Sequence, residues 1–204
     1  MSEPVHERSC GACSLCCTVL RVDVLSKLGG VPCVHQDVDA PGCAIHAERP
    51  AICRAYRCLW LKGGLPESDR PDAHGAVLDV ASTGPTVQLE IRQARPGAFA
   101  ASPRLQAIAE EYRRTMPVRI SDVADVMNPD APYEIRLPNG ETHHVRGEWT
   151  EIQRPGRPVE RMRLPLIERT VRRLILGVKR ARLARAVRSG PRSPLRAGRD
   201  AELK

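Results

Sequence analysis

Eight cysteines occupy one stretch of the chain, residues 10–60, and residues 61–204 contain none. The first four form the run C-G-A-C-S-L-C-C, in which two Cys-x-x-Cys steps end in an adjacent pair. A Cys-x-x-Cys turn lets two thiolates converge on one metal centre, as in tetrahedral zinc sites and iron–sulfur proteins. The pattern therefore predicts that this stretch folds around bound metal. The candidate metal ligands are Cys10, Cys13, Cys16, Cys17, Cys33, Cys43, Cys53 and Cys58.

The spacing of the first four cysteines bears on the identity of the metal. Cys10, Cys13 and Cys16 match the run that supplies three ligands of an iron–sulfur cubane with a distant fourth, which favours an iron–sulfur cluster slightly over zinc. Cys17 does not belong to that run. Because adjacent side chains generally diverge, we expect Cys16 and Cys17 to face different partners. The segment then holds two sites, or one site and a separate structural or reactive thiol; eight cysteines suffice for two sites of four thiolates each.

Three arginines, Arg49, Arg54 and Arg57, lie among the later cysteines. Nearby cations favour the thiolate over the thiol, and the thiolate is the form that binds metal. We therefore expect these arginines to offset the negative charge of a thiolate-rich site.

The cysteine pattern resembles that of the CxxCxxCC cysteine-cluster family, whose members are described as zinc- or iron-chelating proteins. The matching elements are Cys10, Cys13, Cys16 and Cys17, then Pro32-Cys33, Gly42-Cys43-Ala44-Ile45, Arg49-Pro50 and Cys53-Arg54-Ala55-Tyr56-Arg57-Cys58. His46 stands where the family usually has Tyr, either as an extra ligand or as one polar ring replacing another. The resemblance implies a chelating centre without an assigned reaction. A flagellin lysine methylase carries a similar cluster, which implies a cluster-dependent enzyme as an alternative.

Composition agrees with a metal-stapled protein in a reducing compartment. Aromatic residues make up 3% of the chain, which leaves few large side chains for a core, and metal is a common staple for a small core. Residues 1–9 contain no apolar run of the kind found in secretory signals, and no stretch is apolar for long enough to cross a bilayer. We therefore expect a cytoplasmic protein, in which clustered cysteines indicate metal or redox chemistry rather than disulfides.

The predicted fold class is α+β, with a metal-bound cysteine segment packed on a small hairpin-and-helix domain. Strand patterns over 76–80 and 86–92, and over 133–138 and 141–146, predict two hairpins, the second closed by a two-residue type I′ turn at Asn139-Gly140. Ser102 and Pro103 predict a helix start between them. The predicted division of the chain is 1–62, the cysteine segment; 63–153, the hairpin and helix region; 154–188, a linker and basic helix; and 189–204, a disordered basic tail.

The net charge of +8 comes from the C-terminal quarter of the chain. Residues 1–150 hold 16 basic and 19 acidic residues, a net charge of −3, whereas residues 151–204 hold 16 basic and 5 acidic residues, a net charge of +11. A basic helix is predicted within 164–188, and it has three interpretations. It makes weak contact with nucleic acid, it attaches to an anionic surface, or it is a solvated helix that packs one apolar stripe on its own domain.

Three hypotheses for the function follow. The first is a metal-binding cysteine-cluster protein that holds an iron–sulfur cluster or zinc. The second is a zinc-stapled interaction module that binds nucleic acid or an acidic partner through residues 164–188. The third is a cluster-dependent enzyme that acts on a protein or small molecule, such as a protein-modifying methyltransferase. No residue in 61–204 forms a recognisable substrate site of its own.

Overall fold

In the computed structural model, the described residues are 8–25, 27–36, 42–83, 86–122 and 131–189. They form a mixed α/β fold with one seven-stranded sheet and six helices. The strands are β1 (Ala76–Thr83), β2 (Thr86–Gln93), β3 (Val118–Asp122), β4 (Tyr133–Arg136), β5 (Thr142–Arg146), β6 (Trp149–Gln153) and β7 (Glu160–Arg163). The helices are α1 (Leu15–Val19), α2 (Ala51–Ala55), α3 (Pro71–His74), α4 (Ala98–Ala101), α5 (Pro103–Arg113) and α6 (Leu166–Ser189).

The strands lie in the sheet in the order in which they occur in the chain. Every neighbouring pair is antiparallel except β2 and β3, which run parallel. A parallel pair needs a crossover, and α4 and α5 supply it between these two strands. The hairpin predicted over 76–92 is β1 and β2, while the parallel strand β3 and the last hairpin, β6 and β7, had no predicted counterpart.

The hydrophobic core lies between α5 and strands β1, β2 and β3. Ser102 caps α5, since its Oγ accepts a hydrogen bond from the backbone N–H of Leu105 at 3.2 Å, and Pro103 occupies the first helical position. Leu105 and Ile108 on α5 are fully buried in one cluster with Leu89 of β2. The same cluster contains residues of the cysteine segment, which are Val19, Cys58, Leu59 and Trp60. The segment and the sheet therefore share one core.

The hairpin of β4 and β5 has a longer connection than the predicted two-residue turn, so the type I′ prediction is wrong. The backbone N–H of Leu137 bonds Glu141 O at 2.8 Å, and the N–H of Gly140 bonds Leu137 O at 3.1 Å. The connection is thus the three residues 138–140, with Gly140 in the left-handed region at φ 90°. A two-residue turn at Asn139-Gly140 would pair Pro138 with Glu141, and proline has no N–H to donate.

Residues 154–158, which were predicted to start a linker, lie in the connection between β6 and β7 of the same sheet. The helix that follows, α6, runs over 24 residues. Within the described residues, no helix combines the length and the apolar character needed to cross a membrane. The predicted disordered tail lies outside the described residues from 190 onwards.

A buried carboxylate joins three parts of the fold near α3. Asp69, only 3% exposed, accepts hydrogen bonds from Arg104 of α5 at 2.5 and 3.0 Å and lies 3.3 Å from Nε2 of His74 on α3. The guanidinium of Arg104 holds the pKa of this carboxyl below its usual range, and His74 contributes in the same direction. Asp69 therefore stabilises the fold in its charged form.

Replacing Asp69 with Asn is expected to lower the free energy of unfolding by about 2 kcal/mol at pH 7, because an amide is a weaker acceptor for Arg104. Since the pKa of Asp69 is lowered by folding, its contribution is complete above the ordinary carboxyl pKa of about 4 and is lost as the pH falls through the folded-state value. Urea unfolding of both proteins at pH 7 and pH 3 measures this loss. The exposed Asp23, paired with Arg21, supplies the control, since Asp23→Asn should change stability by no more than about 0.5 kcal/mol.

Candidate metal centre

All eight cysteines line a single cavity of about 570 Å³. Each of them is a free thiol. Cys33 and Cys58 are buried, and the other six are half-buried. Residues from 10 to 58 thus place their thiols around one space, although they are separated by up to 48 positions in the chain.

Short helices and turns present the thiols to this cavity. A turn in which the N–H of Cys13 bonds Cys10 O at 2.9 Å leads into α1, which carries Cys16 and Cys17. The N–H of Cys33 then bonds Cys17 O at 3.0 Å, which holds the loop beside the helix. Cys43 pairs with Gln36 in an isolated antiparallel bridge. Backbone hydrogen bonds therefore hold Cys33 beside α1 and Cys43 beside the Gln36 loop.

The last two cysteines are separated by the end of a helix. Cys53 lies on α2, which ends at Ala55, so Cys58 lies beyond the end of this helix. The reason is tertiary, because the N–H of Leu59 bonds Leu78 O of β1 at 2.8 Å. The chain is thereby drawn out of the helix and against the sheet, and Cys58 enters the core.

Electrostatic interactions among the thiols divide them into two groups. We call Cys10, Cys13, Cys16 and Cys58 the first thiol set. Burial raises the pKa of the Cys13 thiol and negative charge at Cys58 raises it further, while burial and Cys10 act in the same way on Cys58. The pKa of Cys16 is raised by its hydrogen bond with Cys17 and by burial, and charge at Cys10 and Cys13 adds to this.

We call Cys17, Cys33, Cys43 and Cys53 the second thiol set. Burial raises the pKa of Cys43, and charge at Cys17 and Cys33 raises it further. Burial likewise raises the pKa of Cys53, with added contributions from the other three members. The two sets touch at the adjacent pair, where the hydrogen bond from Cys16 lowers the pKa of Cys17 to about 7. Cys16 and Cys17 therefore contact each other, although adjacent side chains were expected to diverge, and charge at Cys10 and Cys13 of the first set also acts on Cys16.

Charged groups of opposite sign flank the two sets. Lys27 and Arg49 favour the thiolate of Cys17 in the second set. Asp72 opposes ionisation of Cys13, and Asp79 opposes that of Cys58, both in the first set and both less strongly than burial does. Positive charge therefore favours the thiolate at Cys17, whereas negative charge opposes it at Cys13 and Cys58.

Lys27 is a buried cation beside the thiols that the sequence pattern did not single out. It is 6% exposed, and its Nζ donates to the carbonyl oxygens of Thr18 at 2.9 Å, Leu28 at 3.1 Å and Leu20. Burial lowers its pKa to about 8, and the nearby thiols partly oppose this. A lone lysine between apolar residues, V-L-S-K-L, was the only sequence signal for such a group.

Of the three arginines expected to offset thiolate charge, Arg49 favours the thiolate at Cys17, Cys43 and Cys53. Arg54 donates to Arg49 O at 2.8 Å, and Arg57 donates to Leu61 O at 3.2 Å. His46, the residue that departs from the resembled family, lies against the guanidinium of Arg49 and lines the cavity. That contact favours the interpretation of His46 as a polar ring rather than a ligand.

Tyr56 and the hairpin of β1 and β2 complete the wall of the cavity. Tyr56, Asp79 and Arg92 all line it. The hydroxyl of Tyr56 is buried and has no hydrogen-bond partner among the residues described, and its pKa is raised by burial and by the charge of Asp79. Asp79 and Arg92 lie in the sheet and far from the cysteines in the chain, so spacing within the cysteine motif could not predict them.

The donor set suits a thiolate-bound metal, but the thiols are spread around the cavity. Within the described ranges, no three Cys, His, Asp or Glu side chains stand close enough together to hold a single ion. Four thiolates around one zinc would lie about 3.8 Å apart, given a Zn–S distance of about 2.3 Å in a tetrahedron. The thiolates of a cubane iron–sulfur cluster lie further apart, because each binds a different iron. In number and chemistry the eight thiols fit zinc or an iron–sulfur cluster, and binding requires the thiols to move closer together around the metal.

Comparisons with protein-family models, with curated proteins and with solved structures find no match to this chain. The resemblance to the CxxCxxCC cysteine-cluster family therefore stays a prediction based on the residues that carry it.

Proposed function

We propose that this protein binds metal through its eight cysteines, with an iron–sulfur cluster favoured over zinc. The observation that carries the proposal is the single cavity of about 570 Å³ onto which all eight free thiols open. A cavity lined by eight free thiols offers the donor atoms that zinc and iron–sulfur clusters take from proteins. In this proposal the cysteine segment is a metal-bound unit that packs on the sheet through the core shared by Val19 and Cys58.

The two thiol sets support two centres of four ligands each. The first set combines the Cys-x-x-Cys-x-x-Cys run of residues 10–16 with the remote Cys58. Three closely spaced ligands and a distant fourth are the arrangement that a cubane iron–sulfur cluster uses. The second set draws its four thiols from separate turns and helices, and four thiolates are also sufficient for tetrahedral zinc.

Bound metal would supply positive charge that keeps the thiols ionised despite burial. The protein's own residues prepare for this, since Lys27 and Arg49 already favour ionisation in the second set. Metal binding releases the protons of the thiols and couples to folding, because the ligands come from segments that are brought together only in the folded chain.

Anaerobic purification followed by analysis of iron, zinc and acid-labile sulfide tests the proposal. We expect bound metal in stoichiometric amount, and for iron–sulfur a coloured protein with equivalent sulfide that bleaches on reduction or exposure to air. Removal of the metal with a chelator should lower the thermal unfolding temperature, since metal binding contributes to folding.

Two results would contradict different parts of the proposal. A colourless protein that contains stoichiometric zinc and no sulfide excludes the iron–sulfur form and leaves metal binding intact. A protein that contains no metal after anaerobic purification, takes up neither iron with sulfide nor zinc, and unfolds at the same temperature with and without chelator excludes metal binding altogether.

A further inference from the structure

The helix α6 displays an apolar stripe that the described residues leave uncovered. We define the stripe as Ile167, Val171, Leu174, Ile175 and Val178. These positions recur at helical spacing and lie on one side of the helix. Their exposed fractions range from 50% to 80%, so the stripe lies open along about three turns, or about 16 Å.

The attachment of α6 to the sheet explains why the stripe points away from the body. Glu148, in the turn before β6, lies 2.7 Å from Arg173 and 3.7 Å from Arg169. At 100° per residue, both arginines lie on the side of the helix opposite the stripe. The ion pairs therefore hold the polar side of the first turns of α6 towards the sheet and leave the apolar side open.

The charge of α6 is strongly positive. The helix contains eight basic residues and one acidic residue, Glu168, which gives a net charge of +7. Beyond Val178 the sequence K-R-A-R-L-A-R adds basic residues at the end of the stripe. Positive charge beside an aliphatic stripe is the combination found in helices that lie in the interface of an anionic membrane.

We propose that α6 docks this protein on an anionic lipid surface, with the apolar stripe inserted among the acyl chains and the flanking lysine and arginine side chains at the headgroups. Long basic side chains can lie along the interface with their charges in water, so Lys179 and Arg182 need not be buried. Nucleic acid would match the charge but leave the stripe in water. A second copy of the helix would cover the stripe but bring two helices of net charge +7 into contact in either orientation.

Sedimentation of the full-length protein with vesicles tests this proposal. We expect binding to vesicles of phosphatidylcholine mixed with phosphatidylglycerol, and little binding to phosphatidylcholine alone. Leu174→Asp should weaken the vesicle affinity at least about tenfold, because it places a carboxylate in the stripe. The double variant Lys179→Gln, Arg182→Gln should weaken it as well and reduce its dependence on salt. Val159→Asp is the matched control, since Val159 is 58% exposed but lies outside the helix, and it should leave the affinity unchanged.

Several outcomes overturn the proposal. If wild-type protein stays in solution with anionic vesicles at low salt, the proposal is wrong. Duplex DNA binding that survives Leu174→Asp, together with absence of vesicle binding, assigns the helix to nucleic acid instead. A dimer in light scattering that Leu174→Asp dissociates, again without vesicle binding, assigns the stripe to a second copy. Circular dichroism of each variant shows whether the fold is retained, and because Leu174 is 69% exposed we expect that it is.

Discussion

Serine in place of Cys13 is expected to remove one of the two proposed metal centres and to lower the free energy of unfolding of the metal-loaded protein by at least about 3 kcal/mol. A hydroxyl is a poor ligand for zinc or iron at neutral pH, so the first thiol set loses its centre while the second retains its own. Metal analysis and urea unfolding of the purified variant measure the two effects.

Cys53→Ser is the matched partner of this variant, because Cys53 belongs to the second thiol set and the substitution is the same. It should remove the other proposed centre, and the double variant should bind no metal. In chelator-treated protein each single substitution should cost less than about 1 kcal/mol, because no metal ligand is then lost. If either single variant loses all of its metal, the eight cysteines serve one shared centre and the division into two sets is wrong.

Lys27→Met is expected to lower the free energy of unfolding by about 3 kcal/mol, even in protein treated with chelator. Methionine fills a similar volume but leaves the carbonyl oxygens of Thr18, Leu20 and Leu28 without their buried donor. The loop from α1 to Gly29 is built around these three hydrogen bonds. Urea unfolding of the variant gives the magnitude.

The control for Lys27 is Lys62, which is 44% exposed and pairs with Asp79 at 2.6 Å. Lys62→Met should cost no more than about 1 kcal/mol, since a surface ion pair contributes little. A stability change at Lys27 no larger than at Lys62 would mean that the buried ammonium is not needed to hold the loop.

The sequence predicted those parts of the fold that depend on neighbouring residues. The cap at Ser102 and the hairpin of β1 and β2 follow from local turn chemistry and periodicity. The type I′ turn failed because Pro138, next to Asn139-Gly140, removes the donor that a two-residue turn requires. The parallel strand β3 depends on a crossover, and the pairing of β6 with β7 joins residues that read as a linker because Pro155 and Gly156 are typical of one.

For the candidate centre, the sequence predicted which thiols share a cavity but not what surrounds them. Clustering along the chain was enough to bring all eight cysteines together. The charges that distinguish the two thiol sets come from Lys27, which no motif marks, and from Asp72 and Asp79, which α3 and β1 carry to the site. Such groups are brought in by tertiary structure, and a single sequence does not record which distant strand will face a motif.

Cys58 connects the cavity directly to the sheet. Cys58 lines the cavity, while the next residue, Leu59, is hydrogen-bonded to Leu78 of β1, and Trp60 follows in the core. Any movement of this thiol is therefore transmitted within one residue to the most buried strands. Oxidation of Cys58 would act on the whole molecule as a packing defect, so damage at the cavity and loss of cooperative folding would occur together.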